Sequence, residues 1–333
     1  MTSPPISGLA HRTREQADPA WTREFEAILD AYRQAGGRPA VLQGSRWASA
    51  VISAHDVLAV REVPGVKIDA VGTDQGVRAR IEVAPGTRVE HPIHLCFGMT
   101  AEEGLQEIHS EFKIGEGAEV GFLAHCTFPN AVDMEHVMDA RIHVGRDATM
   151  RYSEAHYHGS HGGIAVLPTT YALVDDGGAL EVQFSLTRGR VGKLAIKLEA
   201  DVHQGGVVEL VSKAYGRGDD DIRVEETLRL NGPGARGVTK TRVAVTDQAR
   251  SEVTTTAEGN APGTVGHMDC TEIVRGRAQA RNVPIVVVRD DRARVTHEAA
   301  IGSVDKKELE TLMARGLSEE QAVDVIIRGM LRA

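Results

Sequence analysis

Cysteine and aromatic residues are scarce in this chain of 333 residues. Its three cysteines, Cys96, Cys126 and Cys270, lie far apart, and an odd, sparse set of thiols excludes a disulfide framework. Three thiols are also one fewer than a four-cysteine metal-cluster site requires, so such a site would need other ligands or a second subunit. Phe, Trp and Tyr make up only 4% of the chain, whereas glycine contributes 35 residues. Small and β-branched side chains must therefore build the core, which favours thin, stacked strands.

Basic charge and long apolar runs are also lacking. Lys and Arg number 38 against 47 Asp and Glu, a net charge of -9, which argues against nucleic acid as the main partner. The longest apolar run, residues 283–288, is too short to span a bilayer, and the first twenty residues lack the apolar core of a signal peptide. No GxxxxGK[ST] phosphate loop occurs, so ATP chemistry would have to come from a partner. We therefore expect a soluble, cytoplasmic protein with no membrane or nucleic-acid partner.

Helical patterns occur only near the two ends of the chain. Asp18-Pro19 is a cap and first-turn pair, and Gly36-Gly37 ends the helix that follows. Near the C-terminus, Asp305 and Ser318 each open a short helix, and Gly316 separates the two. The predicted apolar faces are Trp21, Phe25, Ile28 and Tyr32 in the first helix, Leu309, Leu312 and Met313 in the second, and Ala322, Val325, Ile326 and Met330 in the third. The last two helices are too short to be stable alone, so they pack on the parent domain or dock a partner.

A turn followed by a small residue and an alternating strand recurs between these ends. The residue after the turn stands at positions 118, 148, 179, 207, 235, 249, 278 and 293, and the spacing is one or two units of about 14 to 15 residues. Such a repeat is typical of a stacked β-architecture, so we predict a mainly β fold built on a β-helix, or β-solenoid, with a β-sandwich as the alternative. The predicted parts are a helical or mixed segment (residues 1–60), a β-helix core (61–302) and a C-terminal helical hairpin (303–333).

Two groups of residues could bind a metal ion. His156 and His158 would project to one face of a strand, with His161 close behind, which suggests a His-rich, metal-dependent β-fold enzyme. A polar, partly exposed histidine cluster without metal is the alternative. Cys270 has acidic neighbours, and Glu298 follows 28 residues later.

If two repeat units form one coil, this spacing would place Cys270 and Glu298 in neighbouring coils about 4.8 Å apart, with His297 next to Glu298. A thiolate with an imidazole or a carboxylate suits iron.

Cys126 is adjacent to His125, which would favour the thiolate if the histidine were protonated. Neighbouring residues in a strand point to opposite faces, however, so a buried structural cysteine is the alternative.

Several of these segments resemble the SufB/SufD family of iron–sulfur cluster assembly scaffolds. The matching segments are residues 266–272, 283–285, 295–302 and 312–322, and further upstream His125-Cys126, 155–159 and 188–193. The resemblance implies a right-handed parallel β-helix and a C-terminal helical domain that docks SufC, an ABC-type ATPase. It also implies a non-enzymatic scaffold that builds a nascent iron–sulfur cluster at a dimer interface. Whether that cluster is 2Fe–2S or 4Fe–4S stays open, as do flavin binding and the sulfur and iron donors.

The resemblance also assigns roles to individual residues. Cys270 matches the SufB cysteine of sulfur transfer and cluster assembly, Glu298 matches a SufB glutamate, and His297 matches a SufD histidine. Cys126 and His125 are candidates for a further ligand or a sulfur relay. SufB and SufD are usually separate, longer subunits, whereas this chain carries all three working residues and lacks the N-terminal cysteine-rich motif of many SufB chains. It is similar to the compact single-scaffold type, which implies a homodimer with two ATPase subunits. A purely structural solenoid that recruits a partner through the hairpin is the remaining alternative.

Overall fold

The computed structural model describes residues 19–44 and 46–332, and most of them lie in β-strands. The helices are α1 (Pro19–Gln34), α2 (Pro39–Gln43), α3 (Lys306–Ala314) and α4 (Glu319–Arg332). The strands are β1 (Ser49–Ser53), β2 (Asp56–Arg61), β3 (Val66–Gly72), β4 (Gly76–Val83), β5 (Ile93–Gly98), β6 (Glu103–Ile114), β7 (Glu119–Phe128), β8 (Asp133–Val144), β9 (Thr149–His158), β10 (Ile164–Val174), β11 (Ala179–Arg188), β12 (Gly192–Val202), β13 (Val207–Gly216), β14 (Asp221–Leu230), β15 (Arg236–Val245), β16 (Arg250–Gly259), β17 (Val265–Val274), β18 (Gln279–Val288) and β19 (Arg294–Gly302).

From β4 onward the chain alternates between two sheets. The ten-stranded sheet has the order β19-β17-β15-β13-β11-β9-β7-β5-β1-β2, and the nine-stranded sheet has the order β18-β16-β14-β12-β10-β8-β6-β4-β3. One strand from each sheet makes one coil, and successive coils pair in parallel, as in the pairing of Thr241 with Cys270. About eight such turns form a β-solenoid, which confirms that prediction. The β-sandwich alternative is wrong, because parallel pairing of every second strand is the pattern of a coiled chain and not of antiparallel sheets.

The predicted repeat unit corresponds to half a coil. Each unit ends in a turn that carries the chain to the other sheet, and in most of these turns one position has positive φ. Gly117 has φ +65° there, and its counterpart one coil later, Asp147, has φ +54°. Glycine and, less often, aspartate tolerate this left-handed conformation, which explains why Gly and Asp punctuate the sequence.

Strict alternation along each strand fills the space between the two sheets. In β9, for example, Met150, Tyr152, Glu154, His156 and His158 point inward and are buried, while the residues between them face outward. Most inward positions elsewhere hold Val, Ile, Leu or Ala. The core is therefore narrow, as the shortage of aromatic residues predicts, and a polar inward residue stands out in it.

Both helical parts lie on the outer face of the ten-stranded sheet. Helix α1 buries Phe25, Ile28 and Tyr32 against Val51 and Cys96 near the first coil. The face predicted for this helix is confirmed at those three positions, while Asp18 and the side chain of Trp21 lie outside the described residues. The segment predicted as residues 1–60 also supplies β1 and most of β2 to the sheet.

The C-terminal hairpin packs on the same sheet near the last coils. Asp305 accepts a hydrogen bond from the Glu308 amide (2.8 Å), which confirms the predicted cap. Ser318 and Gln321 cap α4 reciprocally, with distances of 2.9 and 3.2 Å.

The predicted apolar face of α4 matches the packed face only at Ala322, which is buried, and at Met330, which is partly buried. The helix buries Val323, Ile327 and Leu331 against Tyr215 and Ala244 instead. It carries a second apolar stripe, Val325, Ile326 and Met330, which lines a groove beside α3 together with Leu312 and Ile273. Periodicity alone could not show which of the two stripes meets the sheet.

The two ends of the solenoid differ. At the N-terminal end, β2 and β3 pair antiparallel with their neighbours and cover the first coil, so that inward residues such as Ile68 are buried. At the C-terminal end, β18 and β19 are the edge strands, and the inward side of the last coil is open. Val286, Val288 and Ile301 on that side are 41%, 50% and 49% exposed.

No helix within the described part of the chain is long and apolar enough to cross a membrane.

Candidate functional site

Cys270 lies on β17, one strand from the open end of the solenoid. It points into the interior between Met268 and Glu272 and is 2% exposed. The Asn282 amide, on the last strand of the opposite sheet, donates hydrogen bonds to the Cys270 sulfur and, at 3.4 Å, to the Glu272 carboxylate. The thiol therefore sits in a polar group, just below the last coil.

Burial favours the neutral forms of these groups. It raises the pKa of the Cys270 thiol to about 12, and the nearby Glu272 carboxylate adds to the shift. Burial also raises the pKa of Glu272. The thiol is protonated at neutral pH, so forming a thiolate requires that a metal or an acceptor take the proton's place.

A line of hydroxyl groups and carboxylates continues the polar group inward from Cys270. Ser251 donates to Glu272 at 2.6 Å. Further along, Ser212 and Thr241 donate to the two oxygens of Glu226 at 2.6 and 2.7 Å. Burial raises the pKa of Glu226 to about 7 despite these hydrogen bonds.

His297 and Glu298 lie on the last strand and are exposed. Here one coil takes 29 residues and not 28, so Cys270 pairs with Ala299, while His297 pairs with Met268 and Glu298 with Asp269. Since paired residues of parallel strands share a face, His297 is on the same inward face as Cys270, about 8 Å away along the diagonal. Glu298 is on the opposite, outer face.

Cys126 does not lie near Cys270 in the structure. Cys126 lies on β7, five strand spacings from β17 in the same sheet, which is about 24 Å. That separation is too long for Cys126 to ligate an ion held by Cys270 of the same chain, and its relay role stays a prediction. His125 points to the outer face and packs edge-on against Tyr32 of α1 (4.7 Å between ring centres). Burial, followed by His94 and His156, lowers the pKa of His125 to about 4.

Cys126 belongs to a second buried polar group. It pairs with His156 in the neighbouring coil, and His136 faces both from β8 in the opposite sheet. One donor atom from each of these three residues lies within 4.8 Å of the others. Burial raises the pKa of the Cys126 thiol and lowers that of the His136 imidazole, each by a wide margin.

His158 and Glu154 complete this second group. The His156 ring lies between them, with Nε2 at 2.7 Å from the Glu154 carboxylate and Nδ1 at 3.3 Å from His158 Nε2. The Tyr152 hydroxyl donates to the other Glu154 oxygen at 2.7 Å. We call Cys126, His136, Glu154, His156 and His158 the inner group.

The predicted histidine triad is divided by the structure. His156 and His158 share the interior as their spacing predicts, but they are buried and not partly exposed. His161 is exposed in the loop after β9 and does not join them. His136 was missed, although it stands at an inward position between Met134 and Met138, which is the signal that could have revealed it.

Comparison with known proteins gives a consistent family. Residues 97–330 match the family model described as the SufBD core domain of the SUF system of FeS cluster assembly. The chain is 38% identical over 308 residues to an iron-sulfur cluster assembly SufBD family protein of Methanocaldococcus jannaschii, covering 92% of this chain and 98% of that protein. A SufBD family protein of Pyrococcus horikoshii is 36% identical over 93% of this chain and 94% of its own length.

The chain belongs to the SufBD family. The resemblance found in the sequence is thereby confirmed, and the protein is a SufBD-type iron–sulfur cluster assembly protein. The SufB protein of Bacillus subtilis is more distant, at 24% identity over 75% of this chain and 54% of that protein.

Proposed function

We propose that this SufBD protein is a non-enzymatic, cytoplasmic scaffold on which a nascent iron–sulfur cluster is built at Cys270. The observation that carries this proposal is the position of Cys270: of the three cysteines, it alone lies at the open end of the solenoid. Ferrous iron and inorganic sulfide bind there, and iron takes the place of the thiol proton, which passes to solvent. Iron binding offsets the cost of a buried thiolate, because the cation supplies the charge that burial removes.

His297 is the candidate for a second ligand on the last strand of the same chain, since it shares the inward face with Cys270. Glu298 faces outward in its own chain, so we assign it to the Cys270 site of a second copy. A cysteine thiolate, an imidazole and a carboxylate together form a mixed ligand set suited to iron.

The open last coil supports a homodimer as the working form. Its two edge strands have unpaired backbone groups on one side, and Val286, Val288 and Ile301 expose apolar surface there. A second copy of the same end would cover this surface, and it would enclose both Cys270 sites between the two chains. Closed, two-fold contacts of this kind are the commonest form of homo-oligomer.

The groove beside α3 supports a docking role for the hairpin. Leu312 of α3 lines it together with Val325 and Ile326 of α4, which are not part of the cluster that Val323 and Ile327 form with the sheet. We propose that a SufC-like ABC ATPase binds here and that its ATP cycle opens and closes the dimer interface. Deletion of residues 305–333 should abolish co-purification of such an ATPase. If the ATPase still co-purifies with the truncated chain, the hairpin is not its docking site.

Anaerobic reconstitution with ferrous iron and sulfide tests the cluster site. The wild-type protein should develop the absorption of an iron–sulfur chromophore, and Cys270→Ala should abolish it. Cys96→Ala is the matched control, because Cys96 is an equally buried thiol under α1, outside the open end. A chromophore of unchanged intensity in Cys270→Ala, with iron and sulfide still bound, would exclude Cys270 as the assembly residue.

A metal-dependent enzyme is not favoured by the histidine geometry. Catalytic metals keep an open coordination position for water or substrate, whereas the inner group is enclosed between the two sheets. Its chemistry suits a different role.

A further inference from the structure

We propose that Cys126, His136, His156 and His158 bind one zinc ion in the interior of the solenoid, as a structural site separate from the cluster site. This proposal does not rest on the role assigned to Cys270. It concerns another coil, another thiol and another donor set.

The fold itself brings the donors together. Cys126 and His156 are directly paired on β7 and β9, so their side chains stack on the same inward face. His158 follows His156 by two residues on that face, and His136 points toward them from the opposite sheet. Three strands of two adjacent coils thus supply one sulfur and three imidazole donors, with Cys126, His136 and His156 donor atoms within 4.8 Å of one another.

His136 is the independent sign that something binds here. Its side chain is 0% exposed, and within residues 19–44 and 46–332 neither ring nitrogen meets hydrogen-bond geometry with a protein partner. The nearby Gln106 backbone only partly opposes the lowering of the His136 pKa by burial. An imidazole without a partner in an apolar interior costs free energy, and most buried polar groups are paired for that reason. A metal ion facing Cys126 and His156 supplies the missing partner.

The surroundings of His156 are those of a metal ligand. With Nδ1 as its donor atom, Nε2 carries a proton and donates it to Glu154 at 2.7 Å. A carboxylate that orients a ligating histidine in this way is the usual outer partner at zinc sites. The 3.3 Å between His156 Nδ1 and His158 Nε2 also equals the edge of a tetrahedron with zinc–nitrogen bonds of about 2.05 Å.

The chemistry of the donor set favours zinc. When zinc binds, the Cys126 thiol gives its proton to solvent and becomes a thiolate. Four protein donors with no exposed position describe a closed structural zinc site, and a mixture of sulfur and imidazole nitrogen suits zinc.

The test is metal analysis of the full-length chain expressed with zinc in the medium. We expect about one zinc per chain in the wild type. Cys126→Ser and His136→Ala should each lower the zinc content about tenfold or more, and Glu154→Gln should weaken zinc affinity about 10- to 100-fold through its effect on His156. Cys96→Ala and His161→Ala are the matched controls and should retain zinc, as should Cys270→Ala.

A second measurement keeps the proposal testable if the core variants fail to fold. Cobalt(II) is loaded into the Cys270→Ala protein, which leaves only two thiols, and Cys96 lies under α1 on the outer face of the sheet. The inner site should give the intense visible bands of tetrahedral cobalt and a thiolate-to-cobalt charge-transfer band. A folded wild-type protein that contains no zinc, zinc content unchanged by Cys126→Ser, or cobalt bound without thiolate ligation would each overturn the proposal.

Discussion

Cys126 and Cys270 are inward-facing cysteines of the same ten-stranded sheet, but Cys126 lies in the interior of the solenoid and Cys270 lies near its open end. Several coils lie between Cys126 and the open end of the solenoid, and the histidines beside Cys126 are enclosed between the two sheets. Cys270 has a single strand beyond it, and His297 on that strand is exposed. The same local structure therefore makes a closed site in the middle and an open site at the end. On the roles proposed above, distance from the open end, more than residue type, separates a structural thiol from a reactive one.

The strongest test of this comparison asks whether a second chain completes the open site at Cys270. Cys270→Ala and Glu298→Gln should each fail to assemble a cluster alone. A mixed dimer of the two variants, isolated with two different affinity tags, should recover about half of the wild-type cluster content, since one of its two symmetric sites is intact. Iron and acid-labile sulfide per dimer provide the measurement. A mixed dimer that stays empty would mean that Glu298 does not act across the interface.

A charge on the open coil should separate the two copies. Val286→Lys places an ammonium on the exposed inward side of β18, and we expect the dimer to dissociate about tenfold or more readily, because a buried unpaired charge is costly at an interface. Light scattering after gel filtration measures the mass. Val207→Lys is the control, since Val207 is similarly exposed (46%) but lies on another strand. Equal behaviour of the two variants would place the interface elsewhere.

The two apolar stripes of α4 should separate stability from docking. Ile327→Ala removes a buried side chain between α4 and the sheet and should destabilise the hairpin by about 2–5 kcal/mol. Hydrogen exchange should then accelerate in residues 305–332 but not in the solenoid. Val325→Asp alters the groove and should reduce ATPase capture with little effect on exchange. If Val325→Asp accelerates exchange as much as Ile327→Ala, the two stripes do not have separate roles.

Glu226 gives the smallest expected effect and a defined pH dependence. Its pKa is about 7 in the folded chain and near the ordinary 4.5 when unfolded, so the folded state binds the proton more tightly. The stabilisation is complete below pH 4.5 and is lost as the pH rises through 7, by at most about 3 kcal/mol.

Glu226→Gln removes this dependence. Relative to wild type, its melting temperature should therefore rise by a few degrees more at pH 8 than at pH 5. Glu225→Gln, at the exposed neighbouring position, is the control. A difference between Glu226→Gln and wild type that does not change with pH would show that Glu226 is not buried as a neutral acid.

The sequence predicts the fold well because the repeat consists of local features, namely turn residues and the alternation of inward and outward side chains. Turn residues such as Gly117 and Asp147 recur at a fixed spacing, and the alternation between them fixes which side chains face inward. The exact register is harder to predict, because it depends on whether a coil has 28 or 29 residues. A difference of one residue moves Glu298 from the face of Cys270 to the opposite face. The apolar face of α4 was hard for a related reason: two stripes satisfy the same helical period.

The inner group shows what local patterns cannot supply. His156 and His158 are close in sequence and could be paired from their spacing alone. Cys126 and His136 join them through strand pairing and through contact across the core, which depend on the closed coil. His161 is adjacent in sequence, yet it lies outside the strand in a loop.

Parallel analysis of zinc and of reconstituted iron and sulfide in Cys126→Ser and Cys270→Ala tests the central claim most directly. Cys270→Ala should keep about one zinc per chain and assemble no cluster, whereas Cys126→Ser should lose zinc and still assemble the cluster. Loss of both metals in either folded variant, or loss of the cluster in Cys126→Ser alone, would contradict the division between a closed and an open site.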